Sequence, residues 1–139
     1  MTWCVVGKFS DDLAKFEAKT LPKFDLAVRK IALELFSRVI LKSPVDTGRF
    51  RGNWQVSIGA IPTGTLEIND RAGQIAINDA TARTAGLEAG DVVYLVNNLP
   101  YGPRLETGYS AQAPAGMVAL SVQEFQQIAN QVGLELVQI

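Results

Sequence analysis

The chain has 139 residues, of which 47% are hydrophobic and 19% charged, and its formal net charge is −1. This composition is typical of a globular protein, and the length suits one domain spanning residues 1–139. The chain has no histidine and one cysteine, Cys4, which excludes Ser-His and Cys-His nucleophilic pairs, thiolate or imidazole metal sites within one chain, and an internal disulfide.

The first part of the chain predicts helices. Residues 1–22 are expected to form an N-terminal arm or short strand and then a short helix, because Ser10 precedes two acids in the manner of an N-cap. That helix should end near Thr20, and Pro22 suits the first turn of a second helix. From residue 23 to 42, apolar residues recur at three- and four-residue steps, which predicts a long helix with a broad buried stripe. The two apolar rows are Phe24, Val28, Ile31, Leu35 and Val39, and Ala32, Phe36 and Ile40.

A proline and a turn follow the long helix. Pro44 should end the helix, because the residue before a proline is pushed out of the α region. Asp46-Thr47-Gly48 then predicts a turn, in which Asp46 bonds backbone amides ahead of it and Gly48 permits a positive φ. Beyond the turn, apolar and polar residues alternate from Trp54 to Ile58, which predicts a half-buried strand.

The second half of the chain predicts short strands, long loops and a closing helix. Strands are expected at residues 66–68, 74–77 and 91–97, with long loops at 78–91 and 98–113. Pro114 should begin the final helix and Gly133 should follow its end, leaving residues 134–139 as a tail or edge strand. The predicted fold class is α+β, with long N-terminal helices and a C-terminal helix packed on an antiparallel β-sheet.

Charge is unevenly distributed along the chain. Residues 1–53 carry ten Lys and Arg against six acids, a balance of +4, and residues 54–139 carry three against eight, a balance of −5. Three interpretations stay open: a solvated helix surface, a nucleic-acid-binding patch in the N-terminal half, or opposite charges that meet on neighbouring copies of the chain.

The tripeptide Asp46-Thr47-Gly48 also raises the hypothesis of a retroviral-type aspartic protease with Asp46 as its catalytic carboxylate. Such an enzyme places this tripeptide at the end of a hydrophobic strand, and two loops must share one proton between close carboxylates. Here the tripeptide follows a predicted helix and a proline. The pattern therefore favours a turn that ends a helix, with the protease as an alternative.

Two blocks of sequence resemble a broad family of tailed-bacteriophage head–tail joining and tail-completion (neck) proteins. The first is SPVDTGRFRGNW at residues 43–54, and the second is VYLVNNLPYGPRLETGYSAQAPAGMV at residues 93–118. Together with the predicted helices, the resemblance covers residues 24–130. Phe50 stands where the family usually has leucine, and Pro103 interrupts the approach to Glu106.

The resemblance implies a structural protein of the virion rather than an enzyme. Copies would assemble in the host cytoplasm into a ring, commonly of six, between the tail tube and the head-connector proteins, with genomic DNA passing through it. No catalytic residue, metal site, cofactor or membrane contact is expected, and no apolar run approaches the roughly 18 residues that span a bilayer. A DNA-associated protein that uses the basic N-terminal half remains the main alternative function.

The residues that the resemblance marks as structural or interfacial are Asp46, Gly48, Arg49, Arg51, Trp54, Tyr101, Glu106 and Gly108. In an extended chain, Arg49 and Arg51 would lie on one face and Trp54 on the other. Because both blocks concentrate charge beside glycine turns, we expect one arginine to pair with Glu106, within or between subunits. Tyr101 and Tyr109 are expected to be core or interface residues, with the core favoured for Tyr101.

Overall fold

The computed structural model describes residues 7–137, and it describes the side chains of residues 22–134. The elements, in chain order, are α1 (Gly7–Lys42), α2 (Arg49–Gly52), β1 (Trp54–Ile58), α3 (Gln74–Thr84), β2 (Val93–Asn97), α4 (Gly102–Glu106), α5 (Val118–Gln123) and α6 (Phe125–Val137). The helices pack on a two-stranded antiparallel sheet, which confirms the predicted α+β class.

The first helix is continuous where the sequence predicts two. It runs through Thr20 and Pro22, and Ser10 lies inside it rather than at an N-cap. Proline removes one main-chain hydrogen bond, but strong helix formers such as Ala, Lys, Glu and Leu flank it on both sides. The Pro22 side chain is also exposed, so its ring displaces no packing neighbour. The predicted arm at residues 1–6 lies outside the described residues.

The second of the two apolar rows on α1 forms the buried stripe. Ala32, Phe36 and Ile40 are buried, together with Val39 from the first row. Phe24, at the start of the first row, is 54% exposed, so the predicted stripe is too broad at that end. The buried stripe directs α1 against both the sheet and α3.

The two strands confirm the predicted alternation at residues 54–58 and most of the predicted strand at 91–97. They pair antiparallel, with Trp54 opposite Asn97 and Ile58 opposite Val93. Trp54 and Val56 are buried, while the intervening side chains are partly exposed. The face of the sheet that carries Trp54 and Val56 therefore packs on the helices.

The segment from residue 74 to 84 is the helix α3, so the predicted strand at 74–77 is wrong, and the predicted loop at 78–91 is confirmed only over residues 85–91. Its buried residues are Ala76, Ala80 and Thr84, which recur every four positions. Asp70 precedes the helix and accepts a hydrogen bond from the Ala76 amide at 2.9 Å. The buried face consists of small residues, which bring α3 close to α1 and β1. Residues 66–68, predicted as a strand, have no regular secondary structure.

The C-terminal region contains more helix than predicted. The loop predicted at 98–113 includes α4, and the single closing helix predicted from Pro114 is divided into α5 and α6. Gly133 lies inside α6 instead of after its end, and the chain stays helical to Val137 rather than forming an edge strand. Ile128 and Val132 are buried where α6 packs along α1.

Two groups of buried side chains form the core. One surrounds Val39, Ile40, Phe50, Trp54 and Met117, and the other surrounds Phe36, Val56, Ala80 and Leu87. Leu95 of β2 packs against both groups. The helix α1 therefore joins the sheet, α3 and the region of the second motif block in one folded unit.

Glu124 ties the junction of α5 and α6 to α1. Its carboxylate accepts hydrogen bonds from Lys42 and Arg38, and the bonds from Lys42 first and Arg38 second hold the pKa of Glu124 below its usual value. Because the pKa of Glu124 is lower in the folded chain than in the unfolded chain, its bonds stabilise the fold at pH values above the unfolded-chain pKa. This stabilisation is lost as the pH falls through the folded-chain pKa.

We expect Glu124→Gln to make stability less dependent on pH between about 3 and 5, the range in which glutamate carboxylates protonate. Urea midpoints measured across that range for the variant and the original chain would check this. Glu67→Gln is a matched control, because the Glu67 side chain is 86% exposed. A Glu124→Gln chain that loses stability in acid as steeply as the original would contradict the expectation.

Candidate functional site

The first motif block forms a tight turn between α1 and α2. Gly48 adopts φ 89°, and its carbonyl accepts hydrogen bonds from the amides of Gly52 at 2.9 Å and Asp70 at 3.0 Å. A Cβ at Gly48 would lie 2.5 Å from the Arg71 nitrogen, so both conformation and space require glycine here. Gly48 therefore shapes the turn as predicted.

The side chain of Asp46 does not make the predicted bond to a backbone amide in the described structure. The hydroxyl of Thr47 instead accepts from the Arg49 amide at 3.3 Å, and Asp46 is exposed. The carboxylate also lies between two helices rather than at the end of a strand, which is not the position that the protease hypothesis requires.

Arg51 caps the C-terminal end of α1. Residues 49–52 form the helical turn α2 rather than the extended chain that the sequence suggested. One terminal nitrogen of Arg51 donates to the carbonyl of Arg71 at 2.7 Å, and the other donates to the carbonyls of Leu41 and Ser43, both at 2.9 Å. A cation is favoured at this end because the last carbonyls of a helix lack partners. Burial lowers the pKa of Arg51, yet a guanidinium stays charged at neutral pH.

Asn53 and Ser43, for which no role was predicted, hold the rest of the block. The Asn53 side chain donates to the Leu66 carbonyl at 2.9 Å and accepts from the Leu66 amide at 2.7 Å. The indole of Trp54 donates to the Ser43 hydroxyl at 2.7 Å, and that hydroxyl donates to the Val39 carbonyl at 2.9 Å. Their only signal in the sequence is that polar residues sit inside a motif between two apolar elements.

In the second block, Glu106 caps the N-terminal end of α5. Its carboxylate accepts hydrogen bonds from the amides of Met117 at 3.2 Å, Val118 at 3.0 Å and Ala119 at 2.9 Å. An acidic side chain is favoured there because the first amides of a helix have no partners within it. Gly108, at φ 95°, turns the chain back toward these amides.

The predicted pairing of an arginine with Glu106 is wrong within the chain. Arg49 instead makes an ion pair with Glu67 at 3.3 Å, and Arg51 donates to carbonyls. Arg51 and Glu106 bond main-chain groups, which a pairing of opposite charges in the sequence does not predict. Pairing of one of the two arginines with Glu106 between copies stays a prediction.

We expect Glu106→Ala to lower the free energy of unfolding by about 1–2 kcal/mol, the range for removing a helix N-cap. Because Met117 is buried, water is a poor replacement for the carboxylate as acceptor for the Met117 amide. Glu106→Gln, which retains one acceptor oxygen, should lose less. Urea unfolding of both variants would measure the difference, and equal stability of the Ala variant and the original chain would contradict the capping role.

The two motif blocks contact each other through aromatic and amide groups. The rings of Phe50 and Tyr101 lie 5.8 Å apart between centroids, and the Asn97 side chain donates to the Phe50 carbonyl at 2.8 Å. The amide of Val45 donates to the Gln112 side chain at 2.9 Å, and that side chain returns a bond to the Val45 carbonyl at 3.0 Å. Residues separated by 47 to 67 positions in the chain thus form one structure.

A cleft of about 390 Å³ lies between the two blocks. We call it the motif cleft, and its lining includes Asp46, Gly48, Arg49, Phe50, Tyr101, Leu105 and Tyr109. Tyr101 is 40% exposed, so its prediction as a core residue is wrong, and Tyr109 is 75% exposed. The Arg104 guanidinium lies 5.6 Å from the centre of the Tyr109 ring. Exposed tyrosines beside an arginine are typical of protein interaction sites.

Most of the basic side chains described in the first part of the chain are engaged within the chain. Arg29 donates to the Leu87 carbonyl at 2.6 Å, Arg38 and Lys42 bond Glu124, and the two motif arginines have the partners given above. Their donor groups are therefore largely occupied within the chain, which favours an internally bonded helix surface over a continuous nucleic-acid-binding patch.

The described residues contain no group of three or more acidic or cysteine side chains placed to hold a metal ion. Within residues 7–137, none of the helices combines the length and apolar character that crossing a membrane demands. Comparison of the chain with protein-family models, curated proteins and solved structures found no match.

Proposed function

We propose that this chain is a structural protein of the head–tail junction of a tailed bacteriophage, where it acts as a tail-completion or neck protein. The observation that carries the proposal is the contact between the two motif blocks. Phe50 meets Tyr101, and Val45 exchanges two hydrogen bonds with Gln112. The blocks that resemble the neck family thus form one connected surface, with the motif cleft between them.

Exposed apolar side chains near the second block support a role in assembly. They are Tyr101, Tyr109, Val118, Val122 and Phe125. Val118, Val122 and Phe125 recur at steps of four and three residues across α5 and the start of α6. Apolar groups exposed together in this way are typical of surfaces that another protein covers.

The proposed assembly is a ring, most simply of six copies, between the tail tube and the head connector, with DNA passing through its centre. Each copy would use one surface to contact a different surface of the next copy, since rings are built from such heterologous contacts. The proposed site of action is the virion, after assembly in the host cytoplasm.

Removing the chain during phage production tests the proposal. We expect producing cells that lack it to release few joined particles, and heads and tails to accumulate separately in negative-stain images. The original chain supplied in trans should restore joining. Joined and infectious particles formed without the chain would overturn the proposal.

A surface substitution separates assembly from folding. We expect Tyr109→Ser to keep the urea unfolding midpoint of the original chain, because the side chain is mostly exposed, while joined particles decrease. Gln126→Ser, at an exposed position on α6, is the control and should support joining fully. If the Tyr109→Ser chain supported normal joining of heads and tails, the motif cleft would not be part of the proposed interface.

A further inference from the structure

The strand β1 carries unpaired main-chain groups on buried residues. The Gly59 amide donates to the Val92 carbonyl at 2.8 Å. From this bond, the alternation of an antiparallel pair directs the main-chain groups of Trp54, Val56 and Ile58 away from β2. None of the hydrogen bonds among the described residues reaches these outward groups, although Trp54 and Val56 are only 7% and 3% exposed. Because buried amides and carbonyls almost always have partners, this edge has the character of a surface that another chain covers.

The outer edge of β1 opens into a cleft of about 460 Å³, which we call the edge cleft. Residues within 62–68 form one wall of the cleft, and α3 forms another. The charged residues of its lining, Asp79 and Arg83, pair with each other at 3.2 Å, and Ile75 is 52% exposed. The edge cleft therefore offers main-chain hydrogen bonds and apolar contacts, which are the groups that bind an added strand.

The opposite edge of the sheet, formed by β2, is open at the surface. By the same alternation, its outward main-chain groups are those of Val93, Leu95 and Asn97, and the hydrogen bonds among the described residues leave them unpaired as well. Helix α1 bonds only the loop before this strand, where Asp25 accepts from the Ala89 amide at 2.8 Å. The strand contains no proline, lysine or acidic residue, and all five of its residues are partly exposed. Edges without such protection are templates for another strand.

We infer that the β2 edge of one copy enters the edge cleft of the next copy and pairs with its β1. The two-stranded sheets of neighbouring copies then join into one sheet. The inference rests on the proposed ring and deepens it by naming the two edges through which the copies meet. Each copy uses each edge once, which is the heterologous contact that a ring requires.

The strand directions agree with this contact. The strands β1 and β2 are antiparallel within one copy. When the next copy is related by rotation about an axis along the strands, its β1 also runs opposite to the β2 that it meets. The joined sheet is therefore antiparallel throughout.

The composition of the two strands also favours a second copy as the occupant. The sequences Trp-Gln-Val-Ser-Ile of β1 and Val-Tyr-Leu-Val-Asn of β2 contain no charged residue, so their pairing buries no unpaired charge from either strand. Pairing of β2 with the β2 of a second copy would end at a dimer, since such a contact closes on itself. It would also leave the buried main-chain groups of Trp54 and Val56 without partners.

Disulfide trapping with mixed single-cysteine chains distinguishes these arrangements. In an antiparallel pair, residues whose main-chain groups point away from the partner strand lie closest to it, with Cα atoms about 4.5 Å apart. At the inferred contact these residues are Tyr94 and Val96 of β2, and Gln55 and Ser57 of β1. Each would be replaced by cysteine, one at a time, in the full chain carrying Cys4→Ser.

Under mild oxidation, at least one mixture of a β2 variant with a β1 variant should give a covalent dimer on non-reducing gels. Each variant alone should give none, and neither should a mixture of a β2 variant with Gln126→Cys, at an exposed position on α6. Covalent dimers from Tyr94→Cys or Val96→Cys alone would show β2–β2 pairing and overturn the inference. The absence of every mixed dimer would overturn it too.

An edge variant measures what the contact contributes to assembly. Val93→Pro removes an outward amide of β2 and leaves the β1 edge unchanged, so the dissociation constant for self-association of the purified chain should rise at least about tenfold. Tyr94→Lys, which places a charge on the edge without altering the main chain, should act in the same direction if urea unfolding shows that the proline variant does not fold. Unchanged self-association of a folded edge variant would contradict the inference.

These results are separable from the test of the proposed function. If mixed dimers are absent while cells lacking the chain still release unjoined heads and tails, the edge contact is wrong and the proposed function stands. If mixed dimers form while joining does not need the chain, the proposed function is wrong and the edge contact stands.

Discussion

Gly48→Ala should lower the free energy of unfolding by about 2–4 kcal/mol. A side chain at φ 89° is strained, and the added Cβ would also lie 2.5 Å from the Arg71 nitrogen and 2.6 Å from the Asp70 carbonyl carbon. Both neighbours are main-chain atoms of the segment that returns to the turn, so neither can move aside alone.

Gly64→Ala is the matched control for this prediction. Gly64 has a similar φ of 82°, but nothing lies within 4 Å of its added Cβ. Gly64→Ala should lower the free energy of unfolding only by the cost of the left-handed conformation, about 1–2 kcal/mol. Urea unfolding of both variants separates strain from crowding. Equal losses at the two positions would contradict the crowding that the structure shows around Gly48.

Arg51→Lys should lower the free energy of unfolding by about 2–3 kcal/mol although it keeps the positive charge. Arg51 donates to three carbonyls, of Leu41, Ser43 and Arg71, and the planar guanidinium reaches them from two separate nitrogens. A lysine ammonium is a single point and cannot replace that geometry. The end of α1 and the segment after Asp70 would lose their common partner.

Arg49→Lys provides the control two residues away in the same helical turn. Arg49 pairs with Glu67 at the surface, and exposed ion pairs of this kind contribute about 0–1 kcal/mol. We therefore expect the free energy of unfolding of Arg49→Lys to lie within about 1 kcal/mol of that of the original chain. If the two lysine variants were equally stable, Arg51 would not be the cap of α1, and its place in the motif would need another explanation.

Regular patterns in the sequence predicted the elements whose side chains alternate between core and solvent. The strand from Trp54 to Ile58 and the C-terminal part of α1 have large apolar residues at the periods of a strand and a helix. Helix α3 was missed because its buried face is made of Ala76, Ala80 and Thr84, and such small residues look like an exposed loop. Pro22 caused the opposite error: it predicted a boundary between two helices, but it lies inside the continuous helix α1.

The partners of the charged motif residues Arg51 and Glu106 were not predicted. Arg51 and Glu106 bind main-chain carbonyls and amides at the ends of helices, and every residue carries such groups, so no pairing of side-chain types reveals them. An opposite-charge pair was the simplest expectation from composition alone. The three-dimensional position of a helix end decides which charged side chain it attracts, and that position depends on tertiary packing.

The most direct measurement is an image reconstruction of the intact particle, with the position and copy number of this chain determined at the head–tail junction. We expect a closed ring between the tail tube and the head connector, with the motif cleft at contacts between copies or with neighbouring proteins. A particle that lacks the chain, or that holds it elsewhere, would contradict the neck assignment. In that case, DNA binding at graded salt concentrations would be the next test.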